Sequence, residues 1–413
     1  MDPTLELLDP DAYARDGYPW QAWAELRRHH PVSKRRHGES GEYWAIVRHA
    51  DVVAISRRPQ DFLSAPRLNM PPRRVRPGQS PDFLPETIIT MDPPRHAAYR
   101  ALTSRHFTPR ALGAFEPRIA ALAREIVDRA LERFGDGCEF DFVDEVSARL
   151  PLAVIMELLG VPRADWETLL RLANQTVGAG DPEYNAGGDV STEVARAASK
   201  AIFEHYASYI TERRVRPRDD LMSVLVKVEL DGRRIEDREV LGYCFLLTAA
   251  GNETTRNATT GGMLALLEHP AQLARLRAEQ SGWLRAADEI VRWVSPIIHF
   301  CRTAAVDAEV GGQRIRAGET VTLFYPSAAR DEGAFSNPEL FDLSRAPNPH
   351  VSFGIGEHYC LGARLARLEL AAILREWVTR VAEFECTAPI ERLRSIVIGG
   401  IKHMRVRVAP ARG

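Results

Sequence analysis

The feature that most restricts the fold of this chain is a helical segment of unusual length near its middle. Residues 236–269 read EDREVLGYCFLLTAAGNETTRNATTGGMLALLEH, with apolar turns on either side of a polar centre. A single helix of this length spans about 50 Å, at about 1.5 Å per residue, which is enough to cross an entire domain. We therefore predict a fold organised around one long central helix.

The polar centre of this segment, AAGNETT, conflicts with both helix propensity and burial. Such local conflicts are typical of functional sites. Thr254 can direct its hydroxyl to the carbonyl of Ala250, and Gly251 eases a local widening of the helix, so that a groove opens there. Inside the groove, Glu253 and Thr254 form a carboxylate and hydroxyl pair suited to relaying protons. The alternative is a structural kink with a capping hydroxyl.

The rest of the pattern is mainly helical, with short strands towards the two ends of the chain. Helices are predicted at residues 18–30, 94–107, 110–134, 146–160 and 191–214. Strands are predicted at residues 42–49, 299–306, 313–325 and 402–410. The sequence therefore predicts a mainly α fold with small β-sheets, in which one small sheet draws on both ends of the chain.

Two long loops interrupt this pattern. Residues 64–83 are rich in proline and arginine, and residues 177–190 are rich in glycine. Either loop is suited to gating a pocket, because long loops in large domains include active-site lids. The alternative is that both are ordinary surface loops.

Charge and hydropathy exclude several kinds of partner. The 413 residues include 54 Lys and Arg against 56 Asp and Glu, a net charge of −2, so nothing favours a nucleic-acid or anionic membrane partner. No run of about eighteen apolar residues suggests a membrane-spanning helix. The first residues lack the basic end and apolar run of a signal peptide, and we expect a cytoplasmic protein.

One cysteine stands apart from the others. The five cysteines are odd in number and widely scattered, with no CxxC pair, which disfavours disulfides and a cysteine zinc site. Cys360 lies in FGIGEHYCLG among three glycines, which suggests a tight loop pressed against something flat. An amphipathic helix follows, and the positive end of its dipole favours a thiolate at Cys360.

Several roles for this sulfur are open from the residues alone. A nucleophile needs a histidine base, but His358 is only two residues away on the same loop. A zinc site needs further ligands, and no second cysteine is near. A buried structural cysteine leaves the glycines unexplained. Axial ligation of haem iron accounts for the single thiolate, the close flat surface and the loop.

These residues resemble a known family. FGIGEHYCLG is similar at every fixed position to the haem-binding signature of the cytochrome P450 superfamily, F-G-x-G-x-(H/R)-x-C-x-G. AGNETT resembles the oxygen-activation motif of that family, and EIVR, with Glu289 and Arg292, resembles its E-x-x-R pair. The resemblance covers nearly the whole chain and implies a single catalytic domain, residues 1–413, with a triangular helical haem domain around a long central helix.

The resemblance also implies residue roles. Cys360 would be the axial ligand of the iron of haem b, with Ala250 beside the cofactor. Glu289 and Arg292 would form a structural pair, joined by Arg345, that pins a loop under the haem. The haem propionates would be bound by His96, Arg100, Arg302 and His358.

The implied activity is that of a haem-thiolate monooxygenase. One atom of O2 would enter a substrate C–H bond and the other would leave as water, with Glu253 and Thr254 supplying protons. Electrons would come from NAD(P)H through a ferredoxin reductase and a ferredoxin. Arg364 and Arg367 follow Cys360 and are candidates for contact with an acidic partner, although solvated helix charges are the alternative.

The implied substrate is a hydrophobic small molecule. AGNETTRN, HFCRTA and GIKHM are similar to bacterial members that act on steroid side chains, terpenoids and related lipids. The pocket is predicted above the haem, on loop residues 64–90 and 170–190 and on apolar side chains. These side chains are Leu247, Ala250, Ile297, Ile298, Val397 and Ile398.

Three other interpretations stay open. A peroxide-driven haem-thiolate peroxygenase would not need Glu253 and Thr254. A haem-binding sensor or carrier would bind haem without consuming reductant. A helical protein with a structural Cys360 would bind no haem and be colourless.

Overall fold

The computed structural model describes residues 7–38, 41–70, 86–177, 181–184 and 191–411. Most of the two candidate gating loops, 64–83 and 177–190, therefore lies outside the described residues. Their role as covers of a pocket stays a prediction.

Helices form most of the described structure, and fourteen α-helices lie within the described ranges. They are α1 (Pro10–Asp16), α2 (Trp20–His29), α3 (His49–Ser56), α4 (Arg95–Ser104), α5 (Pro109–Phe134), α6 (Arg149–Leu159), α7 (Trp166–Val177), α8 (Ser191–Val215), α9 (Leu221–Leu225), α10 (Asp237–Glu268), α11 (Pro270–Glu279), α12 (Trp283–Val294), α13 (Tyr325–Ala328) and α14 (Ala363–Arg380). None of these helices is both long enough and apolar enough to span a membrane.

The strands of the described ranges are short. They are β1 (Val32–His37), β2 (Gly41–Ile46), β3 (Phe62–Leu63), β4 (Phe140–Asp141), β5 (Glu229–Leu230), β6 (Arg233–Arg234), β7 (His299–Ala304), β8 (Ala308–Val310), β9 (Gln313–Ile315), β10 (Thr320–Phe324), β11 (Val381–Cys386), β12 (Glu391–Arg392), β13 (Ile401–His403) and β14 (Arg405–Pro410). The mainly α fold with small sheets is confirmed.

The long central helix predicted at 236–269 is α10, which runs over 32 residues. Glu236 caps it, because its side chain accepts from the backbone of Glu239 while the Glu239 side chain accepts from the backbone of Glu236. The helix is continuous through Gly251, so the predicted widening does not occur. Gly251 instead allows α6 to pack closely, since a Cβ there would lie 3.1 Å from Ile155.

The largest sheet joins strands near the start of the chain with two strands between residues 299 and 324, in the order β1-β2-β10-β7-β3, so the predicted sheet forms without the C-terminal end of the chain. β10 runs parallel to β2 and antiparallel to β7. The C-terminal strand β14 does not join it, and pairs with β4 and β11 in a second sheet. The reason is burial, because Val406 and Val408 on β14 pack into the main helical core.

Three helices position the region around residues 353–362, FGIGEHYCLG, which we call the signature loop. α14 begins just after this loop, and it packs against both α10 and α12. The three helices meet at a small apolar cluster of Ala258, Ala287, Val291 and Leu370. The signature loop is therefore fixed on one side of α10, facing the polar centre of that helix.

Candidate active site

A central cavity lies between α4, α10, α14 and the signature loop. Apolar side chains form most of its wall, and polar groups are few. Cys360 lies in this wall, and Thr254 lies in the wall formed by α10. The cavity therefore brings the signature loop and the polar centre of α10 to one place.

The loop that carries Cys360 depends on its glycines. Gly354 and Gly356 have φ of 68° and 75°, in the left-handed region that favours glycine. A Cβ on Gly356 would also clash with the backbone carbonyl of Ser56. The Cys360 N–H donates to the Phe353 carbonyl over 2.8 Å and closes the loop, so that Cys360 faces the cavity.

The sulfur of Cys360 is not made anionic by the helix end alone. Two residues separate Cys360 from Ala363, where α14 begins. Burial raises the pKa of the Cys360 thiol, while the Gly362 N–H and the charges of Arg100 and Arg367 act in the opposite direction. The Cys360 side chain is itself exposed to the cavity. That the helix dipole prepares a thiolate therefore stays a prediction, and a bound metal cation would favour the anion.

A cluster of basic side chains faces the same cavity. Arg302 is buried, and the only acceptor it finds among the described residues is the Cys301 carbonyl, at 2.7 Å. Arg100 makes no hydrogen bond or ion pair with any described residue, and burial lowers the pKa of its guanidinium. Two half-buried or buried guanidinium groups without a carboxylate partner define a place for an anion.

Two histidines complete this cluster. The rings of His96 and His358 lie 4.1 Å apart. His96 Nδ1 lies 3.0 Å from Glu357 Oε1, and His358 Nε2 lies 3.1 Å from Ser64 Oγ. Burial first, and then Arg302, His96 and Arg100, lower the pKa of His358 to about 3. His358 is thus neutral and can donate a hydrogen bond, while the local potential is positive.

Glu357 and Ser64 were not predicted from the sequence. Glu357 occupies a variable position of the signature, and Ser64 begins a loop that is predicted to cover and line the pocket, with no role for Ser64 itself. Both orient a histidine of the basic cluster. No sequence signal would have found Ser64, because its partner His358 is 294 residues away.

These residues fit an iron porphyrin. The cavity offers a single thiol, and Gly362 in its wall has nothing within 4 Å of where a Cβ would stand, so a flat group can approach the loop closely. The unpaired guanidinium groups of Arg100 and Arg302 suit two carboxylates. One sulfur, an apolar slot and a cationic edge match the donor set of a haem with propionates.

On the opposite wall, α10 presents one face to the cavity. Leu247, Ala250, Thr254 and Ala258 recur at helical spacing along that face. The Thr254 hydroxyl donates to the Ala250 carbonyl over 2.8 Å, which leaves its oxygen lone pairs available. Thr254 therefore presents a hydroxyl of the polar centre to the cavity, and its neighbour Thr255 also lies in the wall.

Glu253 does not lie in the cavity wall. It is buried and pairs with Arg256, at 2.5 Å between Oε2 and Arg256 Nη2, while Arg256 also donates to Asn174 on α7. Glu253 Oε1 has no hydrogen-bond partner among the described residues. Burial raises the pKa of Glu253 and Arg256 opposes this. The expected direct pair of Glu253 and Thr254 is corrected, because adjacent residues on a helix point in different directions.

Glu289 and Arg292 form a fully buried ion pair on α12, with Arg292 Nε 2.7 Å from Glu289 Oε2. Arg345 adds a second guanidinium, with its Nε 3.1 Å from Glu289 Oε2. Both arginines donate to the Leu340 carbonyl. The group thereby pins residues 336–345 to α12, and it is not the weak exposed pair considered as the alternative.

The apolar wall differs from the prediction at three positions. Leu247, Ala250 and Ile297 line the cavity, together with Leu68, Ile88 and Ile89 of the predicted loop. Ile298 is fully buried in a separate core cluster, since consecutive residues of an extended chain point in opposite directions. Val397 and Ile398 are also outside the wall; their backbones pair with Ile298 and Ile297 instead.

Comparisons with known proteins agree with this site. The model of the family described as Cytochrome P450 matches residues 189–386. A steroid C26-monooxygenase of Mycolicibacterium smegmatis is 38% identical over 98% of this chain and 92% of its own length. A methyl-branched lipid omega-hydroxylase of Mycobacterium bovis is 37% identical over 98% of this chain and 93% of its own length.

A solved structure shows the same fold. A Mycobacterium marinum cytochrome P450 in complex with pseudoionone superposes with a TM-score of 0.90 at 37% identity, with 98% of each chain covered. The fold and the cysteine loop define a haem-thiolate oxidoreductase. The chain belongs to the cytochrome P450 family. It is a monooxygenase of hydrophobic small molecules that uses O2, haem and electrons from redox partners.

Proposed function

We propose that this monooxygenase hydroxylates a steroid, terpenoid or other lipid, in one catalytic domain in the cytoplasm, with electrons from NAD(P)H delivered by a ferredoxin reductase and a ferredoxin. The observation that carries the proposal is one apolar cavity with the Cys360 loop, unpaired guanidinium groups and the Thr254 hydroxyl in its wall.

The cofactor-binding residues act together in this proposal. Cys360 holds the iron of haem b, and Arg100, Arg302, His96 and His358 hold the propionates. When bound, the haem supplies the reductive activation of O2 and the oxidation of a C–H bond. Among the described residues no carboxylate pairs with Arg100 or Arg302, which supports this assignment, because buried cations need an anionic partner.

Thr254 is proposed to hold a proton at its Oγ in the cavity. Its hydroxyl hydrogen is engaged with the Ala250 carbonyl, so its oxygen can accept from a water molecule. Glu253 lies behind this wall, and it contributes a proton only when its pair with Arg256 loosens or a water molecule bridges the gap. Glu253 would thus supply protons to Thr254 only indirectly.

The apolar wall supports a lipid-like substrate. Leu247, Ala250 and Ile297 would contact the substrate, and they offer no charged group to it. The relatives named for a steroid and for a methyl-branched lipid are consistent with an elongated apolar substrate. Ile298, Val397 and Ile398 are not part of this proposed contact set.

The proposed ferredoxin contact involves Arg364 more than Arg367. Arg367 Nε is 2.6 Å from Asp288 Oδ1, so its charge is already partnered. Arg364 makes no ion pair with a described residue, and its Nε has no hydrogen-bond partner among those residues. An acidic surface of the ferredoxin would therefore form ion pairs mainly with Arg364.

The test is a substrate screen followed by turnover. Haem-loaded protein is titrated with steroids, terpenes and methyl-branched fatty acids, and displacement of the axial water is followed spectroscopically. We expect binding of at least one class and hydroxylated product with ferredoxin, reductase and NAD(P)H. Ile297→Glu should abolish binding, whereas Ile298→Val, outside the wall, should keep it. Product with peroxide alone, and none with ferredoxin, would instead establish a peroxygenase.

A further inference from the structure

A second cavity lies beside the central cavity, and the proposed reaction does not yet use it. Its volume is about 370 Å³, which is within the usual range for a ligand pocket. The loop at residues 86–91, α4, β6 and the first turns of α10 supply its wall. Ile88 and Leu246 line both cavities, so these two side chains form the partition between them. We call this second cavity the outer pocket.

The two cavities lie end to end along one face of α10. Glu239, Tyr243 and Leu246 line the outer pocket, and Leu246, Ala250 and Thr254 line the central cavity. These residues follow one another at spacings of three or four, so they share a face of the helix. The face from Glu239 to Thr254 extends about 22 Å, at about 1.5 Å per residue. An elongated molecule that passes the partition can therefore lie along α10 and occupy both cavities.

The outer pocket is apolar at the partition and polar towards solvent. Ile88 and Met91 are buried in its wall. Arg95 and Glu86, which form an ion pair, are both exposed at its mouth. This change in polarity suits a molecule whose apolar body points to the central cavity and whose polar end points outwards.

The charged groups of the mouth are already paired with one another. Arg95 pairs with Glu86, and its guanidinium carbon lies 4.9 Å from the centroid of the Tyr99 ring. Arg233 Nη1 lies 2.9 Å from Glu239 Oε2, and this hydrogen bond lowers the pKa of Glu239 to about 2. The Tyr99 hydroxyl also donates to Glu239. The described wall holds three arginines and three glutamates, so it offers no net charge to an ion.

A neutral polar group fits such a mouth better than a charged one. An anion would have to take Arg95 or Arg233 from its glutamate, whereas a hydroxyl or carbonyl adds hydrogen bonds without breaking an ion pair. We propose that the outer pocket binds the neutral polar end, a hydroxyl or a carbonyl, of an elongated lipid whose apolar body lies in the central cavity. Oxidation beside Thr254 then falls on the opposite end of the lipid.

This inference rests on the proposed function, because it narrows the substrate class of that site. The test uses haem-loaded protein and three probes: cetyl alcohol, octanol and palmitic acid. Octanol carries the same hydroxyl on a chain too short to reach from Thr254 to Glu239, and palmitic acid carries a carboxylate on a chain of the same length as cetyl alcohol. Displacement of the axial water reports binding. The wild type should bind cetyl alcohol more tightly than palmitic acid.

Two variants alter the outer pocket alone. Gly242→Leu fills it from α10, and Arg95→Met removes a donor at the mouth. Each should weaken binding of cetyl alcohol about fivefold or more, as the loss of a hydrogen bond does, and leave the affinity for octanol unchanged. Gly113→Leu is the matched control, because Gly113 on α5 lines neither cavity and has nothing within 4 Å of where a Cβ would stand.

Several results would overturn the outer pocket as a binding site. They are no binding of cetyl alcohol to the wild type, tighter binding of palmitic acid, equal losses for octanol and cetyl alcohol, or unchanged affinity for cetyl alcohol in both variants. If Gly242→Leu does not fold, Arg95→Met still decides, because an exposed ion pair contributes little to stability. The expected binding pattern without hydroxylated product, in the presence of ferredoxin, reductase and NAD(P)H, would contradict the proposed function instead.

Discussion

Glu253 and Arg256 form a buried ion pair one turn apart on α10, outside the wall of the cavity that the neighbouring Thr254 reaches. The pair is held from a second helix by Asn174 on α7, which accepts from Arg256 at 3.2 Å. Glu253, the acid of the segment AGNETT, is therefore held in a structural ion pair. Burial is the largest influence on the pKa of Glu253 and raises it, while Arg256 acts in the opposite direction.

Removal of Arg256 should strongly destabilise the fold. Arg256→Gln leaves Glu253 buried without a counterion, and loss of one partner of a buried pair costs about 3–5 kcal/mol. Asn174→Ala removes only one hydrogen bond and should cost about 1 kcal/mol. Chemical denaturation of both variants measures the difference. Equal, small losses would show that Arg256 is not needed to hold Glu253.

Thr254→Ala should keep haem and divert electrons to peroxide. The variant loses a hydroxyl that lies in the cavity wall with its lone pairs available, so product per electron should fall about tenfold or more, since a positioned proton-transfer group contributes about 10²- to 10⁴-fold. Thr259→Ala is the matched control. The Thr259 hydroxyl also donates to the carbonyl four residues earlier, that of Thr255, but Thr259 is not part of the cavity wall. Coupled turnover in Thr254→Ala would remove Thr254 from the relay.

Alanine substitutions at two glycines of the signature loop should have different effects on folding and on haem retention. Gly356→Ala meets the Ser56 carbonyl and a left-handed φ of 75°, so the loop itself should be destabilised, with or without haem. Gly362→Ala meets no protein atom within 4 Å and has φ −84°, so the fold should tolerate it. A methyl there faces the cavity, however, and should weaken haem retention. Thermal unfolding and haem-loss rates of the two variants separate these effects, and normal haem retention in Gly362→Ala would contradict close approach of the porphyrin.

The predictions from the sequence agree best with the structure where neighbouring residues alone determine an element, such as the ends of a helix. The helix predicted at 236–269 differs from α10 by one residue at each end, because Glu236 and Glu239 cap it locally. The sequence predicts the strand at 402–410 but not its sheet, since nothing in it tells that β4 and β11 pair with β14.

Side-chain direction was the main source of error in the site. Ile297 and Ile298 are equally apolar, and only the backbone direction decides that Ile297 faces the cavity. Helical spacing separates Glu253 from the face of Leu247, Ala250 and Thr254, so this error was avoidable. The sequence does not show that Glu369 is buried in the cavity wall, because it resembles the other charged residues of an amphipathic helix.

His403 should make stability depend on pH. It lies between Asp141 and Glu183, with Nδ1 2.5 Å from Asp141 Oδ2 and Nε2 2.7 Å from Glu183 Oε1. Burial lowers the pKa of His403, but the two carboxylates together raise it above the unfolded value of about 6.5. The stabilisation is therefore complete below about pH 6.5 and is lost as the pH rises through the higher folded pKa.

The comparison of wild type with His403→Gln measures this effect. The free energy of unfolding should differ more at about pH 6 than at about pH 9, because only the wild type carries the extra charge at the lower pH. A difference that is constant, or that grows with pH, would show that His403 is not charged between the two carboxylates.

The spectrum of the reduced, CO-bound protein, compared with that of Cys360→Ser, tests directly whether Cys360 is the ligand of the iron. We expect a long-wavelength absorption band typical of a thiolate ligand in the wild type, and its loss in Cys360→Ser even when haem is retained. The same band in Cys360→Ser, or a wild type that takes up haem without it, would contradict Cys360 as the ligand of the iron.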